Sequence, residues 1–310
     1  MQNSGMKIVV IGTVNKDLIL PFQGGAIQSF GGIYYTISAL SQLTNPEVEI
    51  VPVSFIGSDV YQHFQALLRN FKNIKTDGLI PIDQKNHEVI LEYVAPEERT
   101  EKALFNFPSL EWKHIKKNTN ADLYIINMIT GWDVSLKAFL KLSRKYFNKI
   151  YLDVHFLVMG IDKLGKRMPR CPEDIHRWIR GARFVQMNQR EFSILNPENL
   201  NETSFFEKYM KPEQVLFVTR AGEGVRTVFQ KNGMIRNKHF PGYRVEEIVD
   251  VTGCGDVFGA SFVWQYLQSR DLYKSIDYAN RTAAANCMLR GTNEIDLLLS
   301  MMDKVKRTEV

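Results

Sequence analysis

The alternation of apolar and polar residues along the chain predicts strands and helices in turn. Lys7–Ile11, rich in β-branched residues and closed by Gly12, predicts a buried first strand. Further runs predict strands at Ile50–Ile56, Leu123–Asn127, Lys149–Val154, Phe184–Met187, Val215–Thr219 and Thr227–Gln230. Apolar residues at helical spacing predict helices at Ile33–Leu43, His63–Phe71, Val134–Tyr146, Val257–Gln268 and Lys274–Leu289. This order predicts an α/β fold with a doubly wound, mostly parallel sheet and helices on both faces.

Two segments interrupt this rhythm and predict a small separate β-sheet. The first holds a short strand, Leu18–Phe22, and the second a hairpin in which His87–Val94 and Ala103–Phe107 flank a turn at Pro96–Thr100. These strands have no place in a doubly wound sheet. We expect one domain over residues 1–310 with a lid formed by about residues 16–31 and 86–110.

Composition and charge exclude several classes of protein. The 310 residues are 45% hydrophobic and carry a net charge of +5, with the basic residues scattered and without interleaved aromatics, so nucleic-acid binding is not expected. No run approaches the ~18 apolar residues of a membrane span. The three cysteines are widely spaced, which argues against a disulfide framework or structural zinc and for the reducing cytoplasm.

The stretch DVTGCGDVFGASF, residues 250–262, combines an anion site with acids. Gly253, Cys254 and Gly255 ahead of an apolar helix would direct backbone N–H groups and the helix dipole at one point. Asp256 in the first turn is either a general base for an attacking hydroxyl or a helix cap. We expect the dipole to keep Asp256 ionised and weakly basic.

Other polar and glycine positions follow predicted strands, where an α/β sheet binds ligands. Asn15 and Asp17 could bind sugar hydroxyls or form a polar turn, and Gly31-Gly32 could admit a polyol or make a flexible turn. Asn188 and Glu191 suit Mg²⁺ held through water, or an N-cap with an acid three residues later. The remaining candidates are a glycine turn for nucleotide phosphate or ribose (or a plain β-turn) at Thr219, Gly222 and Gly224, and a small-residue helix for adenine or helix packing at Asn280.

The order G-x-V-N-x-D, GG, N-x-x-E and D-x-x-G-x-G-D resembles the ribokinase (PfkB) family of carbohydrate kinases, from Gly12 to about Gly291. The resemblance implies a ribokinase-like doubly wound core with a small β-sheet lid that covers the acceptor and often mediates dimerisation. It also implies transfer of the γ-phosphate of ATP to a hydroxymethyl group of a sugar or nucleoside, with Mg²⁺. A homodimer through the lid is expected on the same basis.

The resemblance also implies a role for each matching residue. Asp256 is the expected catalytic base, and residues 253–255 form the expected anion hole. The acceptor-binding positions are Asn15, Asp17, Gly31 and Gly32; the ATP positions are Asn188, Glu191, Thr219, Gly222, Gly224 and Asn280; the metal positions are Glu191 for Mg²⁺ through water and Asp250 with Thr252 for a monovalent cation such as K⁺.

The acceptor side departs most from the family pattern. Thr36 stands where an asparagine commonly occurs, and Asp153-Val154-His155 replaces a common DPN. We therefore carry three hypotheses: a sugar kinase; a nucleoside kinase, in which Phe30, Tyr34 and Tyr35 could stack a base; and a catalytically silent sugar- or nucleotide-binding protein. A phosphosugar acceptor has only Lys16 in its favour.

Overall fold

The computed structural model describes residues 5–20, 25–95, 98–104 and 107–307. Its strands are β1 (Lys7–Ile11), β2 (Val14–Leu20), β3 (Ile27–Gly32), β4 (Glu49–Gly57), β5 (Leu79–Ile82), β6 (Glu88–Ala95), β7 (Glu98–Leu104), β8 (Leu123–Asn127), β9 (Ile150–Asp153), β10 (Met159–Ile161), β11 (Arg167–Pro169), β12 (Phe184–Asn188), β13 (Val215–Thr219), β14 (Gly224–Lys231), β15 (Met234–Pro241), β16 (Tyr243–Arg244) and β17 (Lys306–Arg307). Its helices are α1 (Ile33–Leu43), α2 (Tyr61–Leu68), α3 (Trp112–Ile115), α4 (Leu136–Tyr146), α5 (Ile175–Ile179), α6 (Gln189–Leu195), α7 (Glu202–Tyr209), α8 (Cys254–Ser269), α9 (Leu272–Asn286) and α10 (Leu298–Met302).

A nine-stranded sheet forms the centre, in the order β15-β14-β13-β12-β9-β8-β1-β4-β5. The strands from β13 to β5 in this order pair in parallel, whereas β14 and β15 pair antiparallel at one edge. The predicted mostly parallel α/β fold is thereby confirmed.

Helices cover both faces because the side chains of a strand alternate between them. Ile8 and Val10 of β1 join a core with α1, α2 and α8–α10, while Val9 and Ile11 join a second core with α4–α7. Among the described residues, none of the helices is both long and apolar enough to cross a membrane.

A separate sheet, in the order β3-β2-β6-β7, lies largely within the two segments expected to form the lid. It has four strands instead of the predicted three, because the glycine-rich stretch before α1 contains β3. The predicted strand Leu18–Phe22 is displaced, since β2 begins at Val14; Pro21 and Phe22 lie outside the described residues. The predicted turn Pro96–Thr100 is too long, because β7 starts at Glu98; Pro96, Glu97, Phe105 and Asn106 also lie outside the described residues.

Six other strands were not predicted: β5, β10, β11, β15, β16 and β17. β10 and β11 form a hairpin that contacts the edge of the four-stranded sheet, where Ala103 N donates to Gly165 O at 3.1 Å. The predicted strand Thr227–Gln230 is longer and forms β14.

Candidate active site

A cleft of about 1110 Å³ lies between the carboxyl ends of the parallel strands and the four-stranded sheet. Ligands of open α/β sheets bind at this edge. Most of the predicted site residues line it: Asn15, Asp17, Gly32, Asn188, Glu191, Thr219, Gly222, Gly224, Thr252, Gly253, Cys254, Gly255, Asp256 and Asn280. The other two, Gly31 and Asp250, are not part of this lining.

Helix α8 begins inside the cleft, directly after Gly253. Gly253 has a φ of 76°, in the left-handed region that favours glycine. A Cβ at this position would lie 2.1 Å from Cδ1 of Tyr35, so a larger residue would push the loop away from α1. The first N–H groups of a helix have no partner within it and attract anions. The segment 253–255 therefore has the geometry of an anion site, with Asp256 in its first turn.

Asn127, the last residue of β8, holds the side chain of Asp256 by a hydrogen bond. Asn127 Nδ2 donates to Asp256 Oδ1 at 2.5 Å and to Thr36 Oγ1 at 3.2 Å. Burial raises the pKa of Asp256 from 3.8 to about 7, although hydrogen bonds from Asn127 and Thr36 oppose this rise. The expectation that Asp256 stays ionised and weakly basic is wrong, because the loss of hydration on burial brings its pKa to about 7. A carboxylate with this pKa can act as a general base near neutral pH.

Strands β2 and β3 form the part of the cleft that holds the predicted acceptor-binding residues, and this part is named the acceptor end. Asn15 and Asp17 are buried on β2, and Asn15 Oδ1 accepts no hydrogen bond from the described residues. Gly31 pairs with Asn15 across the strands, and a Cβ there would lie 1.9 Å from Asp17 Oδ2. Gly31 does not line the cleft itself. Its lack of a side chain leaves room for the carboxylate of Asp17, which does. An available amide oxygen beside a carboxylate suits the hydroxyl groups of a polyol.

Three carboxylates crowd the middle of the cleft. Burial, followed by the charges of Glu191 and Asp256, raises the pKa of Asp153 well above its ordinary value. Burial, with the charge of Asp256, also raises the pKa of Glu191 to about 7. This concentration of acids favours a cation nearby.

Asn188 and Glu191 cap helix α6 reciprocally. Glu191 N donates to Asn188 Oδ1 at 2.9 Å, and Asn188 N donates to Glu191 Oε2 at 2.8 Å. No group of three or more His, Cys, Asp or Glu side chains among the described residues could hold a metal ion directly. Mg²⁺ commonly keeps several waters and binds one or two carboxylates plus substrate phosphates. Glu191 in its acidic surroundings fits such a water-mediated site while it also caps the helix.

Gln186, which was not predicted, connects the acids to the anion site. Its Nε2 donates to Asp153 Oδ2 and to Gly255 O, each at 3.1 Å, and its Oε1 accepts a hydrogen bond from the buried Tyr151 hydroxyl. Asn127 is the last residue of β8, whereas Gln186 is the middle residue of β12. A polar residue at a strand end was therefore the signal for Asn127, and a polar residue inside a buried strand was the signal for Gln186.

The four-stranded sheet contributes a further acid, Glu101 of β7, to the cleft. Arg167 on β11 is buried, and its Nε lies 3.5 Å from Glu101 Oε1. Burial and the charge of Arg167 lower the pKa of His155 to about 4, so His155 is neutral at pH 7. The hairpin β10–β11 thus places its positive charge behind the acceptor end.

The part of the cleft that holds the predicted nucleotide-binding residues is named the donor end, and it contains the predicted glycine turn. Thr219 ends β13, and Gly222 and Gly224 belong to the turn into β14. Asn280 Nδ2 donates to Phe240 O and Pro241 O at 3.2 and 3.1 Å, which joins α9 to the end of β15. The predicted contact of Asn280 with adenine stays a prediction.

Asp250 and Thr252 order the loop before α8. Thr252 N donates to Asp250 Oδ1 at 2.8 Å, and the backbone N–H groups of Val249 and Asp250 donate to Cys287 O. The monovalent-cation site expected here stays a prediction.

Phe30 and Tyr34 pack in the core, where their ring centroids lie 4.9 and 5.6 Å from that of Phe64. Neither lines the cleft, so the suggestion that they stack a base is wrong. Tyr35 does line it, and its pKa is raised by burial and then by the charges of neighbouring acids, beginning with Asp17.

A family model described as pfkB family carbohydrate kinase matches residues 36–297. The ribokinase of Bacillus subtilis (strain 168) is 32% identical over 127 residues, which cover 38% of this chain and 40% of that protein. The nucleoside kinase of Methanocaldococcus jannaschii, an archaeal member of the ribokinase family, superimposes with a TM-score of 0.74 at 18% identity, over 97% of this chain and 100% of that one. A pyrophosphate-dependent kinase of the ribokinase family gives a TM-score of 0.73 at 16% identity, over 93% and 99%.

Proposed function

Since the chain belongs to the pfkB family of carbohydrate kinases, it is a phosphotransferase with an alcohol acceptor, and we propose that it transfers the γ-phosphate of ATP to a primary hydroxyl of a neutral sugar or sugar derivative. The observation that carries this proposal is the carboxylate of Asp256, with a pKa of about 7, in the first turn of a helix whose N-terminus opens into the cleft. In this proposal Asn15 and Asp17 orient the acceptor.

Asp256 then accepts the proton of the attacking hydroxyl, and the N–H groups of residues 253–255 stabilise charge on the transferring phosphoryl. Asn127 keeps the base in position through its hydrogen bond to Oδ1. A magnesium ion bound with ATP would neutralise phosphate charge, and Glu191 would hold it through water.

The charge of the cleft supports a neutral acceptor. Asp17, Glu101 and Asp153 lie in it, and among the described residues that line it Arg244 is the only arginine or lysine. Arg244 lies at the donor end, because it is two residues from Gly242. Gly242 packs against the glycine turn so closely that a Cβ added to it would lie 2.3 Å from Gly222 O. Lys16 pairs with Glu88 at 3.2 Å. Arg167, behind the acceptor end, is paired with Glu101. An anionic sugar phosphate or sugar acid would therefore meet like charge without an unpaired cation to offset it.

ATP is proposed as donor because small apolar side chains line that end of the cleft. Val245, Ala283 and Ala284 leave a surface that suits the flat face of an adenine ring. Pyrophosphate would make no use of this surface.

A nucleoside kinase is the second candidate. Val89, Leu91, Ile129 and Phe156 give the acceptor end an apolar wall that could contact a nucleobase. The silent binding protein is disfavoured, because Asp256 and the two glycines of the anion site are all present where α8 begins in the cleft.

The test measures ADP release from ATP and Mg²⁺ across neutral sugars and polyols, nucleosides, sugar acids and sugar phosphates, and phosphate release when pyrophosphate is the donor. We expect turnover with a neutral polyol or sugar and ATP, and a loss of about 10²–10⁴-fold in Asp256→Asn. Preference for an acid or phosphate would contradict the charge argument, and wild-type rates in Asp256→Asn would contradict the mechanism.

We also propose a homodimer through the four-stranded sheet. Among the described strands β3 pairs only with β2, which leaves its other side as an edge, while β7 meets the β10–β11 hairpin. Light scattering should give a dimer that Gln28→Pro converts to a monomer. A monomeric wild type would contradict this.

A further inference from the structure

Two cysteine thiols meet where α8 begins and α9 ends. Cys254 Sγ and Cys287 Sγ are 3.1 Å apart, and both residues are half-buried beside the cleft. A disulfide bond has an S–S distance of about 2.05 Å, so the sulfurs are roughly 1 Å from bonding distance. The third cysteine, Cys171, is exposed just after β11, and all three are free.

The backbone around this thiol pair is fixed. The carbonyl of Cys287 accepts from the N–H groups of Val249 and Asp250 at 2.8 and 3.1 Å. Asn286 Nδ2 donates to Thr252 O at 3.2 Å and to Cys254 Sγ at 3.4 Å. The loop before the anion site is therefore anchored to the end of α9 on both sides of the thiols, which keeps them opposed.

The geometry allows either thiol to react first and the other to resolve the product. A thiolate is the form of cysteine that reacts with oxidants. Because the two Sγ atoms are 3.1 Å apart, whichever sulfur is oxidised has the second thiol in place to form the disulfide.

We propose that Cys254 and Cys287 are a modification site, at which a hydroperoxide forms a reversible disulfide that switches off phosphoryl transfer. One thiolate of the pair attacks a peroxide oxygen, the O–O bond breaks, and sulfenic acid and water form. The Sγ of the other cysteine then attacks the sulfenic sulfur and a second water leaves. Two thiols lose two electrons and two protons, and hydrogen peroxide is reduced to two waters.

The new bond acts on the anion site directly. Closing a gap of roughly 1 Å displaces Cys254, whose neighbours Gly253 and Gly255 form the rest of the site. A misplacement of about 1 Å in a catalytic array can cost about 10²-fold in rate. We therefore expect at least a tenfold loss of activity in the cross-linked enzyme, restored by dithiothreitol.

The experiment treats the full chain with hydrogen peroxide and compares four proteins: wild type, Cys171→Ser, Cys287→Ser and Cys254→Ala. Trypsin separates the thiols, because Cys254 falls in peptide 245–270 and Cys287 in peptide 282–290. Wild type and Cys171→Ser should each yield these peptides cross-linked, about 2 Da lighter than their sum because two hydrogens are lost. For each protein, the rate of phosphoryl transfer after peroxide treatment is compared with the rate of the same protein in its reduced form. In Cys287→Ser and Cys254→Ala these two rates should agree within about twofold.

Three results would overturn the proposal. They are the absence of the 254–287 cross-link in wild type, a complete cross-link that leaves the rate unchanged, and an equal loss of rate in Cys287→Ser. The mass measurement does not depend on any acceptor being phosphorylated, so failure of the kinase proposal and failure of the disulfide can be told apart.

Discussion

Asp256→Asn should stabilise the free protein while it abolishes turnover. Burial raises the pKa of Asp256 from 3.8 to about 7 in the folded state. Such an acid binds its proton more tightly when folded, so the free energy of unfolding falls as pH rises from about 4 to about 7 and is level above that. At about 1.36 kcal/mol for each pH unit between these two pKa values, the fall amounts to roughly 4 kcal/mol.

We expect the Asp256→Asn substitution to raise the free energy of unfolding by about 2–4 kcal/mol at pH 8, because the carboxylate retains some contact with water in the cleft. The gain should shrink to less than about 1 kcal/mol near pH 4, where the folded acid is neutral and the unfolded acid is only partly ionised. Asn127 can still donate to the amide oxygen, so the neighbouring hydrogen bond is kept.

The assay is urea unfolding at pH 4 and pH 8, with Asp77→Asn as control. Asp77 is exposed, and its substitution should change stability by no more than about 0.5 kcal/mol at either pH. A variant no more stable than wild type at pH 8, or equally stabilised at both pH values, would refute the account of Asp256 as a destabilised buried charge.

Three further outcomes are expected. Because protonated Asp256 cannot accept a proton, kcat/KM for the acceptor should fall about tenfold per pH unit below its pKa of about 7 and be level above it; a flat profile from pH 5 to 9 contradicts this. Gly31→Ala, which would place Cβ 1.9 Å from Asp17 Oδ2, should raise the acceptor KM at least about tenfold with the ATP KM unchanged. Gly25→Ala, where a Cβ meets nothing within 4 Å, is the control, and equal effects of the two would refute the contact. Glu191→Gln keeps the capping hydrogen bonds but should raise the half-saturating Mg²⁺ concentration about tenfold; an unchanged Mg²⁺ titration would remove Glu191 from the metal site.

Most strands of the central sheet could be predicted from sequence because they are mainly apolar. The predictions for Leu123–Asn127 and Val215–Thr219 have the observed bounds. β15 was missed because most of its side chains are exposed, so its sequence shows no apolar pattern. Its place in the sheet comes from its pairing with β14. β10 and β11 are three residues each, too short to show a period.

The site could be predicted where its residues belong to sequence motifs, and not where the sheet alone brings them together. Asn127 contacts Asp256 across 129 positions of chain, and only the position of β8 in the sheet makes them neighbours. The pKa of Asp256 was misjudged for a similar reason. A helix start, and with it the helix dipole, can be predicted from local sequence. The residues that bury Asp256 and exclude water from it are distant in the chain.

The connections of the four-stranded sheet bear on the entropy of binding. β1 continues into β2 across only Gly12 and Thr13, and β3 passes at Gly32 directly into α1. Asn86, just before β6, donates to Val14 O at 2.9 Å and accepts from Gly57 N at 3.0 Å. At these three junctions the backbone is already in place, so little conformational freedom remains to be lost when an acceptor enters. Selectivity should therefore depend on fit to a preformed surface more than on the cost of closing it.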